Sequence, residues 1–193
     1  MGKKTLLALF AGVFLGANGF CSSLSFQVLQ HNDSLNDVCE SALVIEDEIL
    51  SYFFDKGFIV TNVPASVSKS DEQDKKFYQN GYNEAAGGSF DDFVQIKLYF
   101  TGDEKQNTKI ALGNMKKISW KVVSVVTGKI LEEDSQDVET EVAADNEKNV
   151  RNFANEFADL VNKMEELNDI LSNPKLLKKV LINECKQVKK GAI

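Results

Sequence analysis

The sequence predicts a mixed α/β domain: a five-stranded sheet in the order β-α-β-α-β-β-β-α, packed by helices, with an extra helix at the C-terminus. Three observations predict it. Short apolar segments alternate in the first half with longer segments whose apolar residues recur at helical spacing. A tight-turn signal, Thr127-Gly128, joins two late strands. A long apolar stripe then follows between residues 146 and 171. With two prolines and 43% hydrophobic residues, the chain has enough apolar material for one ordinary core and too much for a disordered segment.

Residues 25–30 are short and apolar-rich and read as the first strand. Ser34-Leu35-Asn36-Asp37 resembles a capping box, with Ser34 placed to accept an amide proton from a first helical turn. Val38, Ala42, Ile45, Ile49, Tyr52 and Phe53 follow at helical spacing, and Gly57 stops that helix through the left-handed conformation. Residues 58–63 form the second strand, which Pro64 is expected to end. Ser70 with Gln73 caps a shorter helix with a modest apolar face of Phe77, Tyr78, Tyr82 and Ala85, ended by Gly87 and Gly88.

The third strand has the clearest pattern. Val94, Ile96, Leu98 and Phe100 alternate with Gln95, Lys97, Tyr99 and Thr101, so one face is buried and the other is wetter. A turn over residues 102–106 leads to a fourth strand, from about Lys109 to Val126, kinked at Gly113-Asn114. Ile118, Trp120, Val122, Ser124 and Val126 are expected on one face, with Trp120 in the core. Lys129-Ile130-Leu131 opens the fifth strand, and an acidic stretch from Glu132 to Asp145 follows. Val150, Phe153, Phe157, Leu160, Val161, Met164, Leu167 and Leu171 then form the stripe of a core-packing helix. Ser172-Asn173-Pro174 breaks it and opens the last helix.

The amino terminus reads as an export signal. Lys3 and Lys4 precede an uncharged apolar run, residues 6–16, and Ala17-Asn18-Gly19 supplies small residues for cleavage between Gly19 and Phe20. That run is shorter than the roughly 20 residues a bilayer span takes, and no later segment is long enough, so no transmembrane helix is expected in the mature chain. Cys21 raises the alternative of lipidation and an outer-membrane anchor, although Phe20 and Asn18 fit that signal poorly. The expected organisation is a signal peptide over residues 1–19, an α/β domain over 20–171 and a Lys-rich helix over 172–193. The expected location is the periplasm or another exported compartment.

Removing Lys3 and Lys4 leaves 20 basic against 29 acidic residues, a mature charge of −9. Such a surface repels phosphate backbones, which argues against nucleic acid as a partner. The exception is the terminal run Lys175, Lys178, Lys179, Lys186, Lys189 and Lys190, opposed only by Glu184. It reads first as a solvated helix face and alternatively as a weak contact to a membrane or an acidic partner. Cys21, Cys39 and Cys185 fit no metal-site spacing. Cys21 and Cys39 flank the first strand and lie too far apart to bridge, so Cys39–Cys185 is the candidate disulfide, against three free thiols.

Catalytic signatures are missing. The one histidine, His31, lies beside Asp33 and Ser34, and side chains so close on a loop do not converge into a triad; a turn role is expected. No zinc cluster, phosphate loop or calcium loop occurs, and no cofactor or metal is expected. The acid pairs Asp91-Asp92 and Glu132-Glu133-Asp134 read as solvated edges, with a carboxylate hydrolase as the remote alternative.

The segment from Ile118 to Leu131, Ile-Ser-Trp-Lys-Val-Val-Ser-Val-Val-Thr-Gly-Lys-Ile-Leu, resembles a hairpin in a group of bacterial envelope proteins. The group includes lipoprotein activators of penicillin-binding proteins, the curli secretion channel subunit and the amino-terminal domain of TolB. Asp55-Lys56-Gly57-Phe58-Ile59-Val60-Thr61 resembles their first crossover, and the likeness covers about residues 24–171. The poor lipidation motif and the extra Lys-rich helix depart from the group. The resemblance implies a non-enzymatic periplasmic module that binds another envelope protein. A partner is expected at a sheet face or edge, with Glu132 and Glu133 marking the edge; the alternative is that these charges serve only to keep the edge from aggregating. The alternative is a small-molecule binder with a pocket lined by Tyr78, Tyr82 and Trp120.

Overall fold

In the computed structural model the element order is β1 (Ser23–His31), α1 (Glu40–Asp55), β2 (Ile59–Ser68), α2 (Asp71–Gly87), β3 (Asp92–Phe100), β4 (Met115–Ser124), β5 (Ile130–Asp137) and α3 (Glu147–Ser172). The structure describes residues 23–102, 110–138 and 147–172. Gly19, Phe20, Cys21, Cys185 and the Lys-rich segment after Ser172 lie outside these residues. The chain divides into two units, residues 21–164 and residues 1–20 with 165–193. The sheet, α1, α2 and most of α3 belong to the first unit, and the end of α3 to the second.

The five strands form one mixed sheet in the order β2-β1-β3-β4-β5. β1 pairs in parallel with β2 and with β3, while β3–β4 and β4–β5 are antiparallel. The order explains where the helices go. The chain leaves β1 for β2 on one side, then returns past β1 to β3 on the other. Right-handed crossovers in opposite directions put their helices on opposite sheet faces. α1 therefore covers one face, α3 returns onto that same face, and α2 covers part of the other.

The main core lies on the α1–α3 face. Leu24, Phe26 and Val28 of β1, Val94, Ile96 and Leu98 of β3, and Ile118, Trp120 and Val122 of β4 meet Ala42, Ile45, Ile49 and Phe53 of α1 and Val150, Ala154, Phe157, Ala158 and Val161 of α3. Trp120 is 4% exposed and meets Phe157 edge-on at 5.4 Å. A polar rim joins the two helices: Arg151 bonds both Glu48 and Glu147, and Tyr52 Oη donates to Asp159 at 2.7 Å.

Four local expectations are corrected. β2 runs through Pro64 to Ser68, because β2 is an edge strand and its register shifts where Gln27 pairs Val63 and Leu29 pairs Ser66. A bulge on an edge tolerates a residue without an N–H. The first helix is capped at Cys39 and not at Ser34; Asn32 Oδ1 accepts from the amides of Ser34 and Leu35 in a separate turn. Gly113-Asn114 lies in the turn before β4 and not within a strand. Val126 lies in the β4–β5 turn, 76% exposed, and leaves the face of Trp120.

The capping box of α2 forms as expected: Ser70 Oγ accepts from the Gln73 amide at 3.3 Å, and Gln73 Oε1 accepts from the Lys69 amide at 2.8 Å. α2 has little apolar surface and seats itself by close approach. A Cβ on Gly81 would stand 2.7 Å from Cζ of Phe93, a ring with no exposure held between Tyr78 and Tyr82. Alanine favours a helix over glycine by about 1 kcal/mol, whereas overpacking costs roughly 1–3 kcal/mol. The clash is expected to outweigh the propensity, because the Phe93 ring is fully buried. Gly81→Ala is expected to lower the urea midpoint by an amount equivalent to about 1 kcal/mol; a midpoint that rises would show that Phe93 yields.

Candidate functional site

The α2 face of the sheet is polar where the α1–α3 face is apolar. Gln95, Lys97 and Tyr99 of β3 alternate with the core residues, and Lys117, Ser119 and Lys121 do the same on β4. α2 packs over Phe93 and leaves β4 and β5 open on this side. The result is a groove of about 410 Å³ lined by these six residues together with Trp120, Glu133, Asp134 and Ser135.

Beside the groove, α2 lowers Asp74 onto Lys97, one of the lining residues. Asp74 is 4% exposed. Its carboxylate meets Lys97 Nζ and His31 Nδ1, each at 3.2 Å. Burial alone would raise this carboxyl, but hydrogen bonds from Ser68, His31 and Lys97 hold it below the usual carboxylate range. Burial would likewise lower Lys97, yet Tyr99 and Asp74 outweigh it and raise the ammonium. Lys97 and Lys117 lie 5.5 and 5.6 Å from the Tyr99 ring centre. Lys121 pairs with Glu133 at 2.9 Å, over the ring of Tyr78. Beneath them Gln95 donates to Gln27 at 3.0 Å, both buried. The Oγ of Ser119 is buried without a hydrogen-bond partner among the described residues.

His31 is thus the last residue of a strand and not a turn residue; its partner, Asp74, is 43 positions away. His31, Asp71 and Asp74 offer ligand atoms within 4.8 Å of one another. The ammonium of Lys97 already supplies positive charge to Asp74, so these donors fit internal charge balance better than a metal ion.

The other predicted residues separate. Trp120 pairs with Ile96 and Phe93 pairs with Val123, so Trp120 and the Phe93–Tyr78–Tyr82 cluster lie on opposite faces, and the three-aromatic pocket does not form. Glu132 pairs with Val122 and Glu133 with Lys121, so the two acids also point to opposite faces of β5. Asp91 accepts from the Ser23 amide and hydroxyl at 3.0 and 2.7 Å and ties the start of β1 to β3. Cys39 is a buried thiol, pushed up by burial. β5, which includes Glu132 and Glu133, lies at the sheet edge with β4 as its one neighbour.

A family model described as "Uncharacterised protein" matches residues 23–166. The chain belongs to that family. The matched span begins with β1 and ends within α3, so it takes in the sheet, α1, α2 and the greater part of α3. No curated protein matches the sequence. Solved structures with a similar fold include PelC from Paraburkholderia phytofirmans, a dodecamer, at 7% identity and a TM-score of 0.42, covering 70% of this chain and 83% of that one. The lipoprotein GNA1162 from Neisseria meningitidis is 15% identical with a TM-score of 0.40, covering 75% and 99%. TolB from Acinetobacter baumannii is 10% identical with a TM-score of 0.39; the match covers 74% of this chain and 28% of TolB.

Proposed function

We propose that the chain is an exported, non-enzymatic module of the bacterial envelope that binds another envelope protein. The observation that supports this reading is β5: an edge strand, exposed from Glu133 to Asp137, bordering a polar groove that α2 leaves open. An edge strand offers unpaired backbone groups to a partner strand, and the lysines beside it offer charge. Export is supported by the Lys3-Lys4 pair, the apolar run and the small residues before Phe20. The separated acids and the charge-balanced Asp74 support binding in preference to bond making.

The test is charge reversal at Glu132 and Glu133, scored by crosslinking and pulldown from the native envelope after circular dichroism confirms the fold. Recovery of a specific partner is expected to fall at least several-fold, as loss of interfacial charge pairs does. Unchanged recovery, with loss on His31→Ala instead, would move the interface to the end of β1.

A further inference from the structure

Among the described residues five large apolar side chains are exposed, and four of them lie at one end of the sheet. The registers place Ile59 opposite Ser23, Leu24 opposite Asp92, Asp92 opposite Ser124, and Val123 opposite Ile130. Ile59 and Ile130 therefore mark the two corners of the end at which β1 begins. Phe54 joins the first corner through the turn in which the Gly57 amide donates to the Phe54 carbonyl at 2.9 Å. Val126 joins the second from the β4–β5 turn. Their exposures are 71% for Phe54, 58% for Ile59, 76% for Val126 and 55% for Ile130. The corners stand four strand spacings apart, roughly 19 Å. Each carries a lysine beside its apolar pair, Lys56 and Lys129, while Asp55, Asp91 and Asp92 lie at the same end.

Scattered surface apolars are ordinary, but four gathered at one end call for a partner. We propose that this end is a membrane-contact surface: the α1–β2 turn and the β4–β5 hairpin insert Phe54, Ile59, Val126 and Ile130 into the headgroup region of a bilayer, with Lys56 and Lys129 at the level of the phosphates. Two apolar points flanked by cations suit a lipid interface, where apolar side chains enter and lysines remain at the surface. The connectivity agrees. Cys21 lies just upstream of Ser23, where β1 starts at this same end. An acyl chain on Cys21 would hold this end within two residues of the bilayer. The opposite end keeps the polar groove of Tyr99 and Lys117 free for a protein partner.

The test is flotation of the mature chain, carrying Cys21→Ser so that no acyl chain contributes, with vesicles of phosphatidylethanolamine and phosphatidylglycerol at low and high salt. Phe54→Asp and Val126→Asp are each expected to lower the partition coefficient by about tenfold. Leu43→Asp, at the remaining exposed apolar residue (47% exposed), is expected to leave it unchanged. A fluorophore on Val126→Cys is expected to be quenched by brominated lipid. The proposal is overturned if the three aspartate variants float alike, if binding is fully lost at high salt, which assigns it to the lysines alone, or if the label is not quenched because the end instead pairs two copies, seen as a dimer in sedimentation. The assay is independent of the envelope partner, so its failure leaves the protein-binding reading standing.

Discussion

Trp120→Ala is expected to cost roughly 3–5 kcal/mol of unfolding free energy, the range for removing a buried large aromatic. For a domain of this size that is on the order of 10 °C in Tm. The indole sits at the centre of the α1–α3 face, opposite Ile96 in the sheet register and edge-on to Phe157. Its loss leaves a cavity between the sheet and α3, in the core that also holds Val150 and Val161. One feature works the other way: the indole Nε1 is buried without a hydrogen-bond partner among the described residues. An unpaired buried donor costs free energy. Trp120→Phe keeps most of the ring contact and removes that donor, so it is expected to cost less than about 1.5 kcal/mol. Thermal unfolding of both variants checks this. An unchanged Tm for the alanine variant would place Trp120 outside the core, and equal losses in both would mean that the indole N–H is satisfied.

The face of Trp120 was legible because β3 and β4 obey the period of two, and a period of two needs no knowledge of distant residues. The strand-helix order was legible for the same reason: each element declares itself within ten to twenty positions. What failed to show was anything decided by pairing. Pro64 reads as a strand end unless one knows that β2 lies at an edge and bulges there. His31 reads as a loop residue unless one knows that α2 returns Asp74 to the end of β1. Tyr78, Tyr82 and Trp120 read as one aromatic set, yet α2 lies across one face while Trp120 points through the other. Which face each helix covers follows from the strand order, and no local pattern encodes that order. A partial signal did exist for Asp74: an acid on the first turn of a capped helix, one turn before the apolar face, with unpaired lysine and histidine on strands that could reach it.

Asp74 carries the second large expectation. Its carboxylate ties α2 to two strands, accepting from His31 at the end of β1 and from Lys97 of β3. Asp74→Asn keeps the shape and removes the charge, so Lys97 loses its partner in a half-buried site. Hydrogen bonds to charged groups contribute about 1.5–3 kcal/mol each, and part of that survives with the amide; a loss of about 2 kcal/mol at neutral pH is expected. The pH dependence follows from the direction of the shift. The folded carboxyl titrates below its ordinary value, so the unfolded chain binds the proton first as pH falls. The stabilisation is therefore fully present above the ordinary aspartate value of about 3.9 and is lost as pH drops through the lower folded value. Urea unfolding of the wild type and Asp74→Asn across this window is expected to show two curves that lie apart at neutral pH and converge below about pH 4. A constant gap down to pH 2 would mean that the carboxylate charge does no stabilising work and that His31 and Lys97 owe their positions to packing alone.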